Sequence, residues 1–330
     1  MRKYVRILGS AILLAVIAWR LDWGHVAAAL HRLGIGYLLG AVLLYVSLQV
    51  ASSLRWRLLA RVQGFDGPLF RYVAYYFIGM FFNLALPTSV GGDVVRVWYL
   101  AGQEGSGPVA GRRLAALVSV LAERVNGVVV LVTLACVSTL LCSTPLETWL
   151  VWTVVGIGVV TLLALVSVPG LRALFGAFPL LATSTKLAPL NRLVDDGWRY
   201  SHRPGVLVSA TLLSVVVQVG NVVIGYLIGQ ALGLPVPALY YGLIVPLVAL
   251  LALVPISLNG MGLREAGFIV LLLPLGVGEA EAVTFGFLTF MVTAVASLGG
   301  VGFYLWVRYP RFRGAAADAA RREQEPPLAA

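Results

Sequence analysis

The sequence predicts an all-α polytopic membrane protein, and three observations lead to this fold class. Of the 330 residues, 60% are hydrophobic and only 12% are charged, which is about half the charge of a typical soluble domain. Apolar runs long enough to cross a bilayer recur along the chain. Two further apolar regions are interrupted near their middle by proline, serine and glycine, which favours broken helices over simple spans.

Six apolar runs are predicted to be full membrane spans. The N-terminal run has a basic start, like a signal peptide, but only VAAAL at 26–30 offers small residues for cleavage, which favours a retained signal-anchor helix. The interrupted regions are Tyr72–Ala101 and Leu239–Leu273. The six spans are Ile7–Trp19, Ile35–Leu54, Leu114–Leu141, Thr148–Val168, Val206–Leu232 and Ala282–Val307.

Positive charges assign the sides of the membrane. With the N-terminus in the cytoplasm, most of the 24 Lys and Arg residues, including Arg55, Arg57 and Arg61, fall in cytoplasmic segments. This balance holds only if each interrupted region enters and leaves on the same side. We therefore expect two re-entrant hairpins that dip in from opposite faces of a plasma (inner) membrane, with both termini cytoplasmic.

The two interruptions also resemble each other. LPTSVGGDVVR at 86–96 aligns without gaps to VPISLNGMGLR at 254–264, with proline, serine, glycine and arginine at matching places. Each half then contains two spans, a hairpin and a span, in opposite orientation, which is typical of an inverted-topology repeat. The predicted domain covers 1–310 in halves of about 1–145 and 146–310, with a basic cytoplasmic linker at 170–204 and a disordered cytoplasmic tail at 311–330.

A possible anion site follows from the broken helices. A half-helix that begins near Gly92 or Gly260 presents unpaired N–H groups and the positive end of its dipole. Arg96 and Arg264 lie about one turn further on, and guanidinium groups bind phosphate in a bidentate manner. These four residues, together with Ser89 and Ser257, predict a site for an anionic headgroup near the midplane.

A structural interpretation of the same residues stays open. Ser89, Ser257 and Asp93 are also ordinary helix caps. Asp93 and Arg96 form an i,i+3 pair, and Arg264-Glu265 can pair across the hairpins. Sequence alone leaves both interpretations standing.

Glu123 and Arg124 form a third charged pair inside an apolar run. Adjacent residues on a helix do not face each other, so each needs another partner, Asp93 for Arg124 and an arginine for Glu123. A structural clamp and a coupling-ion or proton relay are equal alternatives. Asn83 adds a polar group at depth, for which an interhelical hydrogen bond is the commoner explanation. Gly225, Gly229 and Gly233 form a small-residue stripe typical of helix packing.

Known catalytic and metal-binding motifs are missing from the sequence. It contains no P-loop, HExxH, GxSxG or dinucleotide-binding glycine pattern, and we expect neither catalytic residues, nor a cofactor, nor a metal. Cys136 and Cys142 are interpreted as small apolar residues. The net charge of +10 is what basic cytoplasmic loops produce, so no nucleic-acid partner is expected.

The motifs NLALPTSVGGDVVRVWYL, LAERVNGVVVL and PISLNGMGLREAGF resemble those of the lysylphosphatidylglycerol synthase transmembrane-region family, also called the flippase-like domain or UPF0104 group. The resemblance covers about residues 5–307 and implies a membrane region associated with moving lipid across the bilayer, without the cytosolic synthase domain of longer members. Thr88 and Asn259 stand where the family motif leads us to expect a small residue. The resemblance carries over these positions: Asn83, Pro87, Gly91, Gly92, Asp93, Arg96, Glu123, Arg124, Gly260, Gly262, Arg264 and Glu265.

We therefore expect flippase-like translocation of an anionic phospholipid or a lipid-linked glycan. Arg96, Arg264 and Arg124 would bind the headgroup, while Asp93, Glu123 and Glu265 would hold the arginines or exchange a proton. Membrane lipids are the expected partners, with a homo-oligomer or a lipid-modifying enzyme as further possible partners. Two alternatives remain: an integral-membrane glycosyltransferase-type enzyme acting on lipid-linked sugars, and a non-transporting scaffold for a partner synthase.

Overall fold

The computed structural model of the chain describes Gly24 and residues 34–85, 91–102, 109–142, 147–177, 194–253 and 262–307. Within these residues the regular secondary structure is helical, which confirms the all-α prediction. Nine α-helices of ten residues or more are described: α1 (Ile35–Val62), α2 (Leu69–Ala85), α3 (Gly91–Ala101), α4 (Val109–Leu141), α5 (Thr148–Ala177), α6 (Pro204–Ala231), α7 (Ala238–Leu253), α8 (Leu263–Leu272) and α9 (Glu279–Trp306).

Five of these helices are long and apolar enough to cross a membrane: α1, α4, α5, α6 and α9. They correspond to five of the six predicted spans, and the sixth, Ile7–Trp19, lies outside the described residues. The helix α5 runs through Pro169 to Ala177, beyond the predicted end at Val168 and into the predicted linker. Together these helices support a multi-pass membrane protein.

Each interrupted region consists of two shorter helices, and the breaks at 86–90 and 254–261 lie outside the described residues. In the first region, the rings of Tyr75 and Tyr99 are 5.1 Å apart, while Asn83 accepts a hydrogen bond from the Gly92 N–H. Contacts that run in opposite directions along α2 and α3 make the pair an antiparallel hairpin. The α7–α8 pair is also a hairpin, in which Tyr240 donates to the Leu271 carbonyl.

The helices α1 and α6 end in the same way. After α1, Gly64 (φ +83°) donates to the Arg61 carbonyl. After α6, Gly233 (φ +68°) donates to the Gln230 carbonyl. Glycine commonly adopts this left-handed backbone conformation just after the end of a helix. In both places it lets the chain turn towards the next hairpin.

The helices α1 and α6 pack against each other. A Cβ atom on Gly220 of α6 would lie 2.5 Å from Leu48 of α1, so the helices touch where glycine leaves room. Further along α1, Arg55 donates to Ser214, which lies earlier in α6. Because the contacts advance along one helix as they go back along the other, the pair is antiparallel.

Small residues also allow two hairpin helices to approach the long spans. A Cβ atom on Gly300 of α9 would lie 2.1 Å from the Phe77 carbonyl oxygen of α2. One on Gly242 of α7 would lie 2.3 Å from the Ser138 hydroxyl of α4. Each hairpin is therefore anchored to a span of the other half, α2 on α9 and α7 on α4.

The predicted small-residue stripe on α6 is mostly a packing surface. Cβ atoms added to Gly225 and Gly229 would come within 2.8 Å of Val245 and 1.8 Å of Tyr241, respectively. Gly233 differs, because it has no neighbour within 4 Å and serves the turn after α6. The stripe thus holds α7 close to α6.

Candidate functional site

The charged residues predicted at membrane depth lie at the middle of the longest helix. Glu123 and Arg124 follow Val109, the first residue of α4, by 14 and 15 positions, and 18 residues separate Glu123 from Leu141 at its end. At 1.5 Å per residue, Glu123 is roughly 21 Å from one end of the helix and 27 Å from the other. Both charges are thus far from either end of the helix, and their partners come from neighbouring helices.

Glu123 is the centre of these contacts. Its carboxylate accepts hydrogen bonds from Arg55 of α1 at 2.6 Å, from Arg96 of α3 and from the Tyr76 hydroxyl of α2 at 3.2 Å. The residue is only 2% exposed. One carboxylate therefore joins four helices, and the arginine partner predicted for Glu123 is present.

Arg96 is enclosed on every side. Its guanidinium carbon lies 4.2 Å from the centroids of both the Trp56 and the Tyr76 rings. Its Nη2 donates to Glu123, and its Nη1 donates to Asp93 at 3.3 Å. Two aromatic contacts and two carboxylates fix this side chain, which is 4% exposed.

Asp93 links Arg96 to Arg124, as predicted. Its Oδ2 accepts from Nε of Arg124 at 2.8 Å and lies 2.7 Å from Nη2 of the same residue. The Arg124 side chain is 36% exposed, against 5% for Arg96. Among the arginines of the cluster, Arg124 is the one that reaches accessible space.

Arg55 was not predicted to belong to this site. The loop-charge argument treated it as a residue beyond the end of a span, which is wrong, because α1 continues to Val62 and buries Arg55 to 5% exposure. Its Nη1 donates to Ser214 at 2.6 Å, and Ser214 in turn donates to Asn126. A polar network thus extends from Glu123 to α6.

The α2–α3 crossing positions Asp93 and Arg96. A Cβ atom on Gly92 would lie 2.0 Å from the Gly79 carbonyl oxygen, so the two backbones are in direct contact. Asn83 accepts from the Gly92 N–H at 2.7 Å, which satisfies one of the free N–H groups at the start of α3. Gly92 and Asn83, predicted as binding residues, are seen here in packing and capping contacts.

A cavity of about 230 Å³ opens beside this group, which we call the charged cluster (Arg55, Asp93, Arg96, Glu123 and Arg124). The cluster contains three arginines and two carboxylates, so it carries one excess positive charge. The other residues that line the cavity are Tyr45, Gln49, Tyr76, Gly79, Met80, Asn83, Gly127, Val128, Leu131, Gln218 and Leu253.

Arg264 lines a second cavity of about 220 Å³ with mostly apolar walls. Its Nε and Nη2 both donate to Oε1 of Glu265, at 3.3 and 3.2 Å, and its guanidinium lies 4.7 Å from the Phe290 ring. Glu265 also accepts from the Gly262 N–H that precedes α8. Among the described residues Arg264 and Glu265 pair with each other within one helix, so the predicted pairing across the hairpins is wrong. Ser89, Ser257 and Gly260 lie outside the described residues.

Comparison with known proteins decides the family. Residues 4–300 match the family described as the lysylphosphatidylglycerol synthase TM region. The chain belongs to this family. Curated proteins and solved structures gave no match. Within the part of the chain that the structure describes, no three His, Cys, Asp or Glu side chains are grouped to hold a metal.

Proposed function

We propose that this member of the family translocates an anionic phospholipid, or a lipid-linked glycan with an anionic phosphate, across the membrane. The observation that carries the proposal is the charged cluster, which lies at the middle of α4 and lines a cavity. Ionisable groups at such depth are costly and are generally retained for function. Arg124 and Arg264 are the groups assigned to the headgroup. Asp93, Glu123 and Glu265 hold the arginines, and the enclosed Arg96, which the sequence analysis also assigned to the headgroup, positions the cluster.

The charge of the cluster favours an anionic ligand. Three guanidinium groups face two carboxylates, and the excess positive charge lies at Arg124, the arginine of the cluster that reaches accessible space. A phosphodiester carries one negative charge and would neutralise the excess. Guanidinium also matches phosphate geometry better than an ammonium group does. A zwitterionic lipid would add a positively charged group to a site that already carries one excess positive charge.

Internal symmetry supports an inverted-topology repeat within the same proposal. The helix α1 begins at residue 35 and α6 at residue 204, which is an offset of 169 residues. The helix α2 begins at residue 69 and α7 at residue 238, which is the same offset. The sequence-equivalent helices α1 and α6 are antiparallel, as inversion requires. In this arrangement the α2–α3 and α7–α8 hairpins are re-entrant, dipping from opposite faces of the inner membrane.

Translocation places the chain among transporters rather than enzymes, and no cofactor enters the proposed cycle. Lipids of the bilayer are the partners, and an enzyme that makes the headgroup would supply the substrate. A second copy of the chain is compatible with this role. The N- and C-termini are assigned to the cytoplasm on the basis of loop charge.

The test uses purified protein in vesicles containing a fluorescent phosphatidylglycerol, with chemical quenching of the outer leaflet at timed intervals. Wild-type protein should transfer this lipid faster than protein-free vesicles, and faster than it transfers the matching phosphatidylcholine. Arg124→Ala should reduce transfer at least tenfold, because the cluster then loses its excess charge and its accessible guanidinium. Asp93 keeps Arg96 as a partner in this variant, so folding should survive.

Arg61→Ala is the matched control, since Arg61 lies on α1 in an exposed pair with Asp66 and its loss should leave transfer unchanged. Equal rates with and without wild-type protein would contradict the proposal. Sugar-nucleotide turnover by the purified protein would favour the enzyme alternative. If cells that carry Arg124→Ala behave like wild-type cells and the protein co-purifies with a synthase, the scaffold alternative would be favoured.

A further inference from the structure

The charged cluster forms a continuous row in which positive and negative side chains alternate. Arg55 donates to Oε1 of Glu123 at 2.6 Å, and Arg96 donates to Oε2 of the same carboxylate. Arg96 also donates to Oδ1 of Asp93 at 3.3 Å, and Nη2 of Arg124 lies 2.7 Å from Oδ2 of Asp93. Each carboxylate therefore lies between two guanidinium groups, and the row both begins and ends with an arginine.

The two ends of this row have different surroundings. The side chain of Arg124 is 36% exposed, whereas that of Arg55 is 7% exposed. Both terminal nitrogens of Arg55 donate to protein groups, Nη1 to Ser214 and Nη2 to Glu123. Arg55 lines the cavity, but because its terminal nitrogens already have acceptors in the protein, it is poorly suited to bind a headgroup directly.

The partners of Arg55 on the side of α6 are uncharged. Ser214 accepts from Arg55 and donates to Asn126, and Asn126 donates to the Thr211 hydroxyl at 2.9 Å. Among the described residues, the one carboxylate that pairs with Arg55 is that of Glu123, which a second arginine shares. The charge of Arg55 is thus held in place by neutral groups and by a carboxylate that already has a partner.

The charge of Arg55 decides the sum for the whole cluster. With it, three arginines and two carboxylates leave one excess positive charge. Without it, the two remaining arginines would balance the two carboxylates, and the sum would be zero. The other described residues that line the cavity are uncharged, so none of them would replace the missing charge. Buried charges are screened weakly, so the sum acts on a headgroup at the exposed end of the row.

We propose that Arg55 is a positioning residue that sets the charge selectivity of the site, so that an anionic phospholipid is preferred although Arg55 does not bind it. The inference rests on the proposed function and adds the residue that determines headgroup charge. Arg55 acts through Glu123. By compensating this carboxylate from the buried end, it leaves the excess positive charge at Arg124, where the headgroup arrives. Selectivity therefore depends on the charge sum of the cluster.

Variants that change this sum test the assignment, with transfer of fluorescent phosphatidylglycerol and phosphatidylcholine measured in the same vesicle assay. Arg55→Met and Arg55→Gln bring the sum to zero, so the ratio of phosphatidylglycerol to phosphatidylcholine transfer should fall at least fivefold. Arg55→Lys keeps the positive charge and should keep the wild-type ratio within twofold. Arg124→Ala also brings the sum to zero but removes the accessible guanidinium, so transfer of both lipids should fall.

A double variant, Arg55→Met with Glu123→Gln, separates charge from shape. It removes one charge of each sign, which returns the sum to one positive charge, so the ratio should return to within twofold of wild type. Replacing both partners of a buried ion pair is often neutral for stability, whereas removing one partner is strongly destabilising, so the double variant should remain monodisperse.

Two results would overturn the inference. One is a wild-type ratio in both Arg55→Met and Arg55→Gln, and the other is a ratio in the double variant as low as that of Arg55→Met, which would show that the shape of the side chain matters and its charge does not. Absence of transfer by wild-type protein would instead contradict the proposed function.

Discussion

Substitution of Gly92 by alanine should separate the two helices of the first hairpin. The added Cβ would lie 2.0 Å from the Gly79 carbonyl oxygen and 2.7 Å from Cγ of Asn83. Real Cβ atoms essentially never approach other heavy atoms closer than 3.0 Å, so the backbones must move apart by about 1 Å. Neither neighbour can rotate away, because one is backbone and the other caps α3.

The expected cost follows from overpacking, which typically destabilises a protein by about 1–3 kcal/mol. Alanine also gains up to about 1 kcal/mol of helix propensity over glycine, but less near the start of a helix. A net loss of about 1–3 kcal/mol is therefore expected. The shift also moves Asp93 and Arg96, which lie on the same helix, away from Glu123.

The measurement is the fraction of monodisperse protein that remains after heating in detergent across a temperature series. Gly127→Ala is the matched control, because its Cβ would meet Nη1 of Arg55 at 3.6 Å, an ordinary contact. Gly92→Ala should lose its monodisperse peak several degrees below wild type, and Gly127→Ala should not. Equal midpoints for the two variants would refute the close crossing of α2 and α3.

Three other changes test the polar network and the turns by the same heating assay. Glu123→Gln removes the carboxylate that two buried arginines share, which leaves Arg96 with Asp93 alone, and should cost about 3–5 kcal/mol. Glu147→Gln at an exposed position should cost nothing measurable, and similar midpoints for the two variants would contradict the contacts of Glu123. Ser214→Ala removes the hydrogen bond from Arg55 to α6 and should cost about 1–3 kcal/mol. An unchanged midpoint would show that the packing of α1 on α6 does not depend on this hydrogen bond. Gly233→Ala places a side chain at φ +68° and should cost about 1–2 kcal/mol, while Gly36→Ala, inside α1 with open space around it, should not destabilise; equal behaviour would argue against the left-handed turn.

Much of the fold was predictable because membrane helices are specified locally. An apolar run of sufficient length identifies a span without knowledge of its neighbours. Proline together with glycine indicated the two interrupted regions, whereas α5 runs through Pro169 and α7 contains Pro246 without a break. The ion pairs were predictable for a related reason. Charges as deeply placed as Glu123 and Arg124 must find partners, and Asp93 and Arg96 were among the few available.

Arg55 was missed because counting charges cannot distinguish a buried arginine at the end of an apolar run from a loop arginine. What separates Arg55 from Arg57 and Arg61 is contact with Ser214, which lies 159 residues away. The direction of each side chain on α1, rather than its charge, decides which of the three turns inward. The close approach of Gly79 and Gly92 was likewise invisible, since it depends on how α2 and α3 cross.

The carboxylate of Glu123 has a mechanical consequence for the molecule. By hydrogen bonds to Arg55, Tyr76 and Arg96 it joins α1, α2 and α3 to its own helix, so displacing any one of the four helices breaks a contact with this carboxylate. Arg264 pairs with its neighbour in α8 and meets α9 through the Phe290 ring, a contact that tolerates sliding. One wall of the first cavity is therefore cross-linked by charged hydrogen bonds between helices, whereas the Arg264–Glu265 pair adds no such bond between helices in the described part of the chain.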